Sequence, residues 1–438
     1  MAYRNIRLHP ILRLIYLFLR FLVWLGVSVF YRRRLILGRE HLRFDGPAIV
    51  IANHPSTLTD VLNPALHIRQ EMFFLANYGL FKHPVSNWLF RRLYCIPVKR
   101  REDVAEGETR DNDEAFRQSF QHLGKNGVLF IAPEGTSWMN RFVRPLKSGT
   151  ARIALGAEAA NNWQLGVKII PAGLSYSAPH LFRSDVVVHF GAPVYARDWA
   201  GQWTKDRIGA VDALTEHLEN ALKTLSIHTR DEAGERALTQ WETMLQNEHP
   251  LPQHPAFERS QRLVNTCLDK PELRAQTETY FSELEKSGLT DAVVAAAQKD
   301  RAPWREGLQM GGLLFTFPLF ALGYAFWWLP CYLPWLLNKK LNFYIGYSST
   351  VKMLAGLITF PLALWAAWRA AGHFLQNGWL ALVVTAAAVA LGLFAERYQD
   401  WWSQWRLLQN SRQAVREKAE VLKTLQQQRR AILAQLHS

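Results

Sequence analysis

His54 and Asp60 are the two residues of this 438-residue chain whose types and spacing best suit acid–base chemistry. An imidazole that is oriented by a carboxylate can take a proton from an alcohol. No Ser or Cys nucleophile in a recognisable strand–turn–helix elbow lies nearby in the sequence, so the pair favours direct activation of a hydroxyl group. Taken alone the pattern is ambiguous, since a His and an Asp at this spacing also occur as a turn residue and a helix N-cap.

The segments around this pair predict a parallel sheet. A short apolar run, Ala48–Ala52, precedes His54 and places the imidazole at the exit of a strand. Later apolar runs that each end in a Pro turn followed by polar residues lie at 94–101, 128–137 and 167–174. Helical stretches are predicted between these runs, at 113–123 and 148–160. Strands that alternate with helices are typical of a largely parallel α/β sheet, which binds its ligands at the carboxyl ends of its strands.

Taken in order, these four blocks resemble the glycerolipid acyltransferase family, the glycerol-3-phosphate and lysophosphatidate acyltransferases, over residues 34–198. The family's first block begins with Asn-His and closes with an Asp, usually after four intervening residues. Five residues separate His54 from Asp60 here. This departure is similar to a branch of the family that has a Pro directly after the His, as Pro55 is here.

The other three blocks match at the later strand ends. The second, Phe-Pro-Val-x-Arg, is met by Ile-Pro-Val-Lys-Arg at 96–100. The third, Phe-Pro-Glu-Gly-Thr-Arg-Ser, is met by Ala-Pro-Glu-Gly-Thr at 132–136, but Ser137 stands where the family commonly has an Arg. The fourth, a Val-Pro-x-Gly turn, is met by Ile-Pro-Ala-Gly at 170–173. Four blocks in the family's order make the resemblance specific.

The resemblance implies a role for each block. His54 is expected to be the general base and Asp60 to fix its tautomer, while a fatty acyl group passes directly from a thioester to a glycerol hydroxyl. The residues expected to bind the phosphorylated acceptor or to shape its cleft are Lys99, Arg100, Glu134, Gly135, Thr136, Ser137, Lys147, Pro171 and Gly173. Arg100 is the first choice for the phosphate, and Lys147 or Arg144 could replace the Arg that is absent at 137.

Two of these blocks also have plain structural interpretations. A basic run on a loop, such as 99–101, is often a solvated or headgroup-facing surface. Residues 134–136 on their own would read as an ordinary turn after a Pro. Their register with the other blocks favours the functional interpretation.

Composition favours a membrane partner. The 51 Lys and Arg exceed the 37 Asp and Glu by 14, which fits either nucleic acid or an anionic membrane surface. Long apolar segments favour the membrane, so no nucleic-acid partner is expected. Cys95, Cys267 and Cys331 are far apart and lack metal-ligand spacing, so no metal site or disulfide framework is predicted, and Cys95 is expected to be an inert, packed thiol. No dinucleotide or P-loop glycine pattern occurs, and no cofactor is expected.

The N-terminal residues 1–34 are predicted to form a membrane-associated helix. Arg13 and Arg20 interrupt its apolar stretch and are expected to reach lipid headgroups from a helix that lies in the membrane interface. A full span is the alternative. Residues 35–245 are assigned to the α/β domain and 246–305 to a helical connector.

Residues 306–397 are predicted to be an all-α membrane region. Pro318, Pro330 and Pro334 are expected to break its first segment into a re-entrant or interfacial piece, and a helical hairpin is expected to follow. Residues 398–438 are predicted to form a cytoplasmic helix. A surface helix is favoured there over a coiled-coil homodimer, because Lys418 and Arg429 disturb the heptad pattern.

The sequence therefore predicts an integral membrane enzyme with its catalytic domain on the cytoplasmic face, at the inner membrane if the source is bacterial. The expected donor is acyl-CoA or acyl carrier protein. The expected acceptor is glycerol 3-phosphate or its lysophosphatidate, with the first slightly favoured by the branch resemblance and another lysophospholipid as the near alternative. A non-catalytic lipid-binding scaffold would leave the polar blocks at successive strand ends unexplained, and a transporter would need more ionisable residues in its spans.

Overall fold

The computed structural model describes residues 10–92, 94–99, 112–298 and 303–437. The chain divides into two compact units. The first unit consists of the chain up to Arg230 together with the later segment Phe343–Thr350. The second holds Asp231–Asn342 and the chain from Val351 onward.

A mixed, largely parallel sheet forms the centre of the first unit. Its strands within the described residues are β1 (Arg33–Leu37), β2 (Ala48–Ala52), β3 (Met72–Asn77), β4 (Cys95–Val98), β5 (Val128–Ile131), β6 (Lys168–Tyr176), β7 (Asp185–Phe190) and β8 (Val194–Tyr195). Their order across the sheet is β1-β7-β6-β2-β5-β3-β4, and β8 pairs with β6. The strands from β6 to β4 in this order are parallel, whereas β7 and β8 run antiparallel to β6. The predicted parallel α/β sheet is confirmed.

The position of β2 explains its sequence. This strand lies between β5 and β6, and all five of its residues are buried. A strand that is covered on both faces reads as a continuous apolar run rather than an alternating one, as Ala-Ile-Val-Ile-Ala does. The residue that follows such a strand is therefore delivered to the carboxyl edge of the sheet, between its neighbours.

The first unit also contains helices within the described residues. They are α1 (Pro10–Phe30), α2 (Leu58–Ala65), α3 (Pro84–Arg92), α4 (Asp113–Gly124), α5 (Gly149–Ala160), α6 (Ala200–Lys205) and α7 (Arg207–Leu225). The helices predicted at 113–123 and 148–160 correspond to α4 and α5. Leu214, Leu218 and Leu222 of α7 are buried, as their spacing on one helix face predicts.

The arginines of α1 bind the α/β domain. The Arg20 guanidinium donates to the carbonyl oxygens of Ile68 (2.6 Å) and Leu66 (2.8 Å), just after the end of α2. Arg13 forms an ion pair with Glu71 at 3.5 Å. The expectation that Arg20 reaches lipid headgroups is therefore wrong, because carbonyls left unpaired at a helix C-terminus bind this side chain instead. For Arg13, whose side chain is 58% exposed, the expectation stays a prediction.

The described residues of the second unit are helical. Its helices are α8 (Glu232–Glu248), α9 (Gln253–Thr266), α10 (Pro271–Ser287), α11 (Asp291–Ala296), α12 (Pro303–Leu341), α13 (Ser348–Leu375), α14 (Gly378–Glu417) and α15 (Ala419–His437). The first turn of α13 belongs to the first unit. The predicted boundary at 397 falls inside α14, which continues as one helix to Glu417.

The three prolines do not break α12. Pro318, Pro330 and Pro334 all lie inside one continuous 39-residue helix, so the expected re-entrant piece is wrong. Pro334 has no N–H to donate to the carbonyl of Pro330, one turn earlier. The Thr359 hydroxyl donates to that carbonyl instead, at 3.0 Å. A neighbouring hydroxyl thus satisfies the group that proline leaves free, as apolar helices require.

The last helix, α15, has one buried and one exposed face. Leu422, Leu425 and Arg429 are buried within the second unit, whereas Val421 and Lys423 are exposed. The leucines considered for a coiled coil thus pack inside the chain.

Four helices among the described residues are long and apolar enough to cross a membrane. They span Pro10–Phe30, Glu306–Leu341, Ile345–Leu375 and Gly378–Glu417. A helix of about 20 apolar residues matches the ~30 Å hydrocarbon core of a bilayer. The composition and length of these helices identify a membrane protein.

Candidate active site

The loop from β2 to α2 carries the predicted catalytic pair, and Asn53 fixes its start. The Asn53 amide nitrogen donates to the Leu174 carbonyl (2.9 Å), and the Leu174 N–H donates to the Asn53 side-chain oxygen (2.6 Å). This side chain extends the pairing of β2 with β6 by one residue beyond Ala52. His54 therefore leaves the sheet edge from a defined position.

His54 and Asp60 are in contact. The imidazole Nδ1 lies 3.0 Å from Asp60 Oδ2, with the His54 side chain 13% exposed and the Asp60 side chain fully buried. Within the part of the chain that the structure describes, Nε2 of His54 has no hydrogen-bond partner. A neutral imidazole that donates from Nδ1 to a carboxylate has a lone pair on Nε2, which is the form a general base needs.

Two further donors hold the Asp60 carboxylate in place. The Ser56 N–H donates to Oδ2, and the Tyr176 hydroxyl donates to Oδ1 at 2.8 Å. Burial raises the pKa of Asp60 above its ordinary value, and the contacts with His54, Ser56 and Tyr176 oppose that rise. Burial also raises the pKa of Tyr176 well above its ordinary value, so this hydroxyl stays protonated and remains a donor. Tyr176 was missed because nothing near it in the sequence marks a strand residue as the partner of a distant Asp.

The loop after β5 lies against the same segment. The His54 N–H donates to Glu134 Oε1 (3.1 Å), the Thr57 N–H donates to Ser137 Oγ (3.1 Å), and the Trp138 N–H donates to the His54 carbonyl (3.1 Å). The first and third family blocks therefore meet, as adjacent strands β2 and β5 require. The Glu134 side chain faces the backbone of His54 and restrains it through this hydrogen bond.

Glu134 has an unusual ionisation. Burial raises the pKa of its carboxyl from 4.5 to about 7, while hydrogen bonds from the backbone oppose the shift. Its residue is only 7% exposed. At neutral pH both protonation states are thus populated, and either state can accept the His54 N–H.

Two cations lie on the loop that follows Glu134. Gly135 has a φ of +74°, a left-handed conformation that glycine adopts without strain, and a Cβ at this position would meet the Lys147 ammonium at 2.6 Å. The Lys147 side chain therefore lies across Gly135. The Arg144 guanidinium stacks on the rings of Trp138 (4.1 Å to the centroid) and Phe142 (4.8 Å). Both basic side chains proposed as substitutes for the missing Arg thus flank the third block.

The remaining predicted binding residues outside β6 are Lys99, Arg100 and Thr136. Lys99 follows β4, three strand spacings or roughly 14 Å from β2, and its ammonium lies 5.5 Å from the Tyr78 ring centroid. Arg100 lies outside the described residues. Thr136 is half-buried on the loop after β5.

Pro171 and Gly173 are buried inside β6. A Cβ on Gly173 would meet the Leu225 backbone at 2.4 Å, so this glycine permits close packing of the end of α7. Both residues thus serve the packing of the sheet, and a role in the cleft wall stays a prediction.

Other titratable side chains of the first unit have structural surroundings. Burial lowers the pKa of His67 and of His122 to about 4, and the His122 ring nitrogen lies 3.1 Å from the Val128 carbonyl. Burial raises the pKa of the Cys95 thiol to about 11, as expected for an inert cysteine. Among the described residues, no group of three or more His, Cys, Asp and Glu could hold a metal ion.

A segment that the sequence analysis did not single out also reaches this loop. Residues Phe343–Thr350 belong to the first unit although they lie more than a hundred residues beyond its other part. Ser349 Oγ lies 2.9 Å from Ser56 Oγ, and the Met139 N–H donates to the Tyr344 hydroxyl at 3.2 Å. Three consecutive hydroxyl residues at 348–350, opening an apolar stretch, are the signal that could have drawn attention to it.

Part of the chain is similar to known acyltransferases. Residues 33–175 match the family model described as Acyltransferase. "Glycerol-3-phosphate O-acyltransferase 2" of Saccharomyces cerevisiae is 34% identical over 122 residues, which are 28% of this chain and 16% of that protein. "1-acyl-sn-glycerol-3-phosphate acyltransferase BAT2, chloroplastic" of Brassica napus is 27% identical over 178 residues, which are 40% of this chain and 48% of that protein. The chain thus spans less than half the length of these two relatives.

A solved structure is also similar to part of the chain. It is that of the 1-acyl-sn-glycerophosphate acyltransferase PlsC from Thermotoga maritima, with 19% identity and a TM-score of 0.37. The match covers 48% of this chain and 78% of the other.

Proposed function

We propose that this membrane protein transfers a fatty acyl group from acyl-CoA or acyl carrier protein to glycerol 3-phosphate or 1-acylglycerol 3-phosphate, since residues 33–175 match the family model described as Acyltransferase. The observation that carries the proposal is the contact of His54 Nδ1 with buried Asp60, which leaves Nε2 at the carboxyl edge of the sheet without a partner among the described residues. Relatives named for both acceptors support the substrate class.

The proposed reaction needs no covalent enzyme intermediate. His54 Nε2 takes the proton of the acceptor hydroxyl as the hydroxyl oxygen attacks the thioester carbonyl carbon. A carbon–oxygen bond forms, the carbon–sulfur bond breaks, and the departing thiolate takes the proton from the imidazolium. Asp60 stabilises that imidazolium, because its Oδ2 lies 3.0 Å from Nδ1. Correct positioning of such a base contributes typically ~10²- to 10⁴-fold to the rate.

The acceptor phosphate is assigned to the cations of the loop after β5. Lys147 crosses Gly135 in the third block, next to the Glu134 that holds His54. The Arg144 guanidinium lies over the rings of Trp138 and Phe142, and these contacts restrict its position and favour its use as a phosphate ligand. Lys99, roughly 14 Å away across the sheet, suits a more distant anionic part of a substrate.

Membrane attachment suits this reaction. The acylated product is insoluble in water and has to leave into lipid, and the chain has helices that are long enough to cross a bilayer. We assign the catalytic unit to the cytoplasmic side, where acyl thioesters and glycerol phosphate are made. Glycerol 3-phosphate remains the preferred acceptor because of the Pro55-containing first block.

The test is transfer by the purified full-length protein in lipid–detergent micelles, with radiolabelled acyl-CoA and each acceptor in separate reactions. We expect labelled lysophosphatidate or phosphatidate from the wild type. His54→Ala should lower kcat by at least ~10²-fold. His254→Ala is the matched control, since that side chain is 50% exposed on α9, where it pairs with Glu258.

Two results would overturn the proposal. A wild-type preparation that acylates neither acceptor would reject the substrate assignment. A His54→Ala variant that turns over at the wild-type rate would remove His54 from the role of base.

A further inference from the structure

The segment Phe343–Thr350 contacts the catalytic loop, which we define as residues 54–60. We propose that Ser349, together with Gly346 and Thr350, is a positioning element that holds the catalytic loop in its active conformation. This inference rests on the proposed function. The family match ends at residue 175, so it assigns nothing to this segment.

The contacts are made by hydroxyl groups. Ser349 Oγ lies 2.9 Å from Ser56 Oγ and 3.4 Å from Thr59 Oγ1. The Thr57 hydroxyl donates to the Gly346 carbonyl at 3.1 Å and lies 3.3 Å from Thr350 Oγ1. Three of the five positions between His54 and Asp60, namely Ser56, Thr57 and Thr59, are therefore in contact with one short segment.

Burial makes these contacts specific. Ser349 is fully buried, and Ser56 and Thr59 are 1% and 0% exposed. A buried hydroxyl without a hydrogen-bond partner costs free energy, so the Ser56 and Ser349 hydroxyls depend on each other. An apolar residue at 349 would suit the start of an apolar helix equally well, but it would leave Ser56 without this partner.

The loop needs such support because its backbone is strained. Thr57 has a φ of +50°, which β-branched residues rarely adopt. Thr57 also directly precedes α2. In the chain it lies between Ser56, whose N–H donates to the Asp60 carboxylate, and Asp60 itself. If Thr57 relaxed to an ordinary conformation, the N–H and the carboxylate would turn away from each other. The contact with Gly346 and Thr350 opposes that relaxation, and so orients Asp60 toward His54.

Gly346 has a backbone role in this arrangement. A Cβ there would meet the Tyr344 ring at 2.6 Å and Thr57 Cγ2 at 3.4 Å. The absence of a side chain lets the Gly346 carbonyl approach the Thr57 hydroxyl while Tyr344 accepts the Met139 N–H on the neighbouring loop. The segment thus contacts the loops after both β2 and β5.

The test is a double-mutant cycle in the full-length protein. Ser349→Ala is expected to lower kcat by about 3- to 10-fold with unchanged KM for both substrates, the loss of one buried hydrogen bond that acts on the orientation of the base. Because Ser349 acts through Ser56, Ser56→Ala should give a similar loss, and the double variant should be no slower than the slower single variant. Ser119→Ala is the matched control. Ser119 is equally buried, and its hydroxyl donates only within α4, to the Ala115 carbonyl.

A second variant tests the same inference if Ser349→Ala does not fold. Thr350→Val keeps the side-chain volume and removes the hydroxyl beside Thr57, and it should also lower kcat at constant KM. Unchanged kcat in whichever variant folds, or losses of Ser349→Ala and Ser56→Ala that multiply in the double variant, would overturn the inference. If His54→Ala is inactive while these variants are fully active, only the positioning role fails. An active His54→Ala variant would instead overturn the proposed function.

Discussion

Asp60 in the first unit and Asp291 in the second are two buried carboxylates with nearly the same immediate surroundings. Asp60 lies in the first turn of α2 and Asp291 is the first residue of α11. Each accepts a tyrosine hydroxyl on Oδ1, from Tyr176 at 2.8 Å and from Tyr280 at 2.7 Å. Burial, helix position and the tyrosine partner therefore do not distinguish a catalytic carboxylate from a structural one.

The basic partner distinguishes the two. Asp291 binds Arg429, whose side chain is fully buried and also donates to Glu248 and to the Met244 carbonyl. Every nitrogen of that guanidinium is bonded, and an arginine does not lose its charge in a protein. Asp60 binds His54, whose imidazole has one nitrogen without a partner in the described residues. The difference between the two clusters is therefore that the arginine is fully bonded, whereas the imidazole keeps one nitrogen available to a substrate.

Replacement of Arg429 should have the largest effect on stability and little effect on catalysis. Arg429→Met leaves Asp291 and Glu248 without their cation, and removal of one partner from a buried ion pair typically costs ~3–5 kcal/mol. We expect a markedly lower thermal midpoint in detergent, with the kcat of the remaining folded protein within about twofold of the wild type. Arg430→Met is the control, since Arg430 is the exposed neighbour on the same helix. Equal stability of these two variants would contradict a structural role for the Arg429 cluster.

Glu134 should make stability depend on pH. Because burial raises its pKa from 4.5 to about 7, the folded chain holds this proton more tightly than the unfolded chain does. Protonated Glu134 therefore stabilises the fold below pH 4.5, and that contribution is lost as the pH rises to about 7. Relative to Glu134→Gln, the free energy of unfolding of the wild type should fall by ~2–3 kcal/mol across this pH range.

The measurement for Glu134 is the difference between the unfolding midpoints of the two proteins at pH 5 and pH 8. Glu216→Gln, on the exposed face of α7, is the control and should show no such trend. A difference that is the same at both pH values would show that burial of Glu134 has no energetic consequence.

The tyrosine pair gives the smallest and most discriminating effect. Tyr176→Phe removes a donor from the Asp60 carboxylate and should lower kcat by about 10-fold, the lower end of the range for a hydrogen bond to a charged group. Since that donor opposes the raised pKa of Asp60, its loss should also move the acidic limb of the kcat–pH profile upward. Tyr280→Phe removes the equivalent hydroxyl from Asp291 and should lower the thermal midpoint without changing the pH profile. If both variants changed the pH profile alike, the two carboxylates would not differ in function.

The central strands β2, β5 and β6 and the contact between His54 and Asp60 could be predicted from the sequence because their signals are local. Ala48–Ala52 reads as a covered strand, and His54 and Asp60 lie within one loop and one helical turn. Strand β1 at one edge of the sheet and the internal strands β3 and β7 were missed, because short apolar runs such as those at 35–37, 73–75 and 186–188 do not by themselves distinguish a strand from a buried helix segment. The interpretation of α12 failed because proline propensity is local, whereas the Thr359 hydroxyl that satisfies the Pro330 carbonyl comes from another helix.

The sequence by itself determined the residue types of the site, the order along the chain of the four strands that carry the polar blocks, and the presence of membrane-length apolar helices. Only the tertiary structure decided that Tyr176 completes the His54–Asp60 pair, that Glu134 holds the His54 backbone, and that Ser349 reaches the catalytic loop. The physical reason is the distance along the chain over which each signal acts. Hydrophobic periodicity and motif spacing act between residues close in sequence, but a buried hydroxyl or carboxylate is satisfied by whichever group the fold brings within about 3 Å.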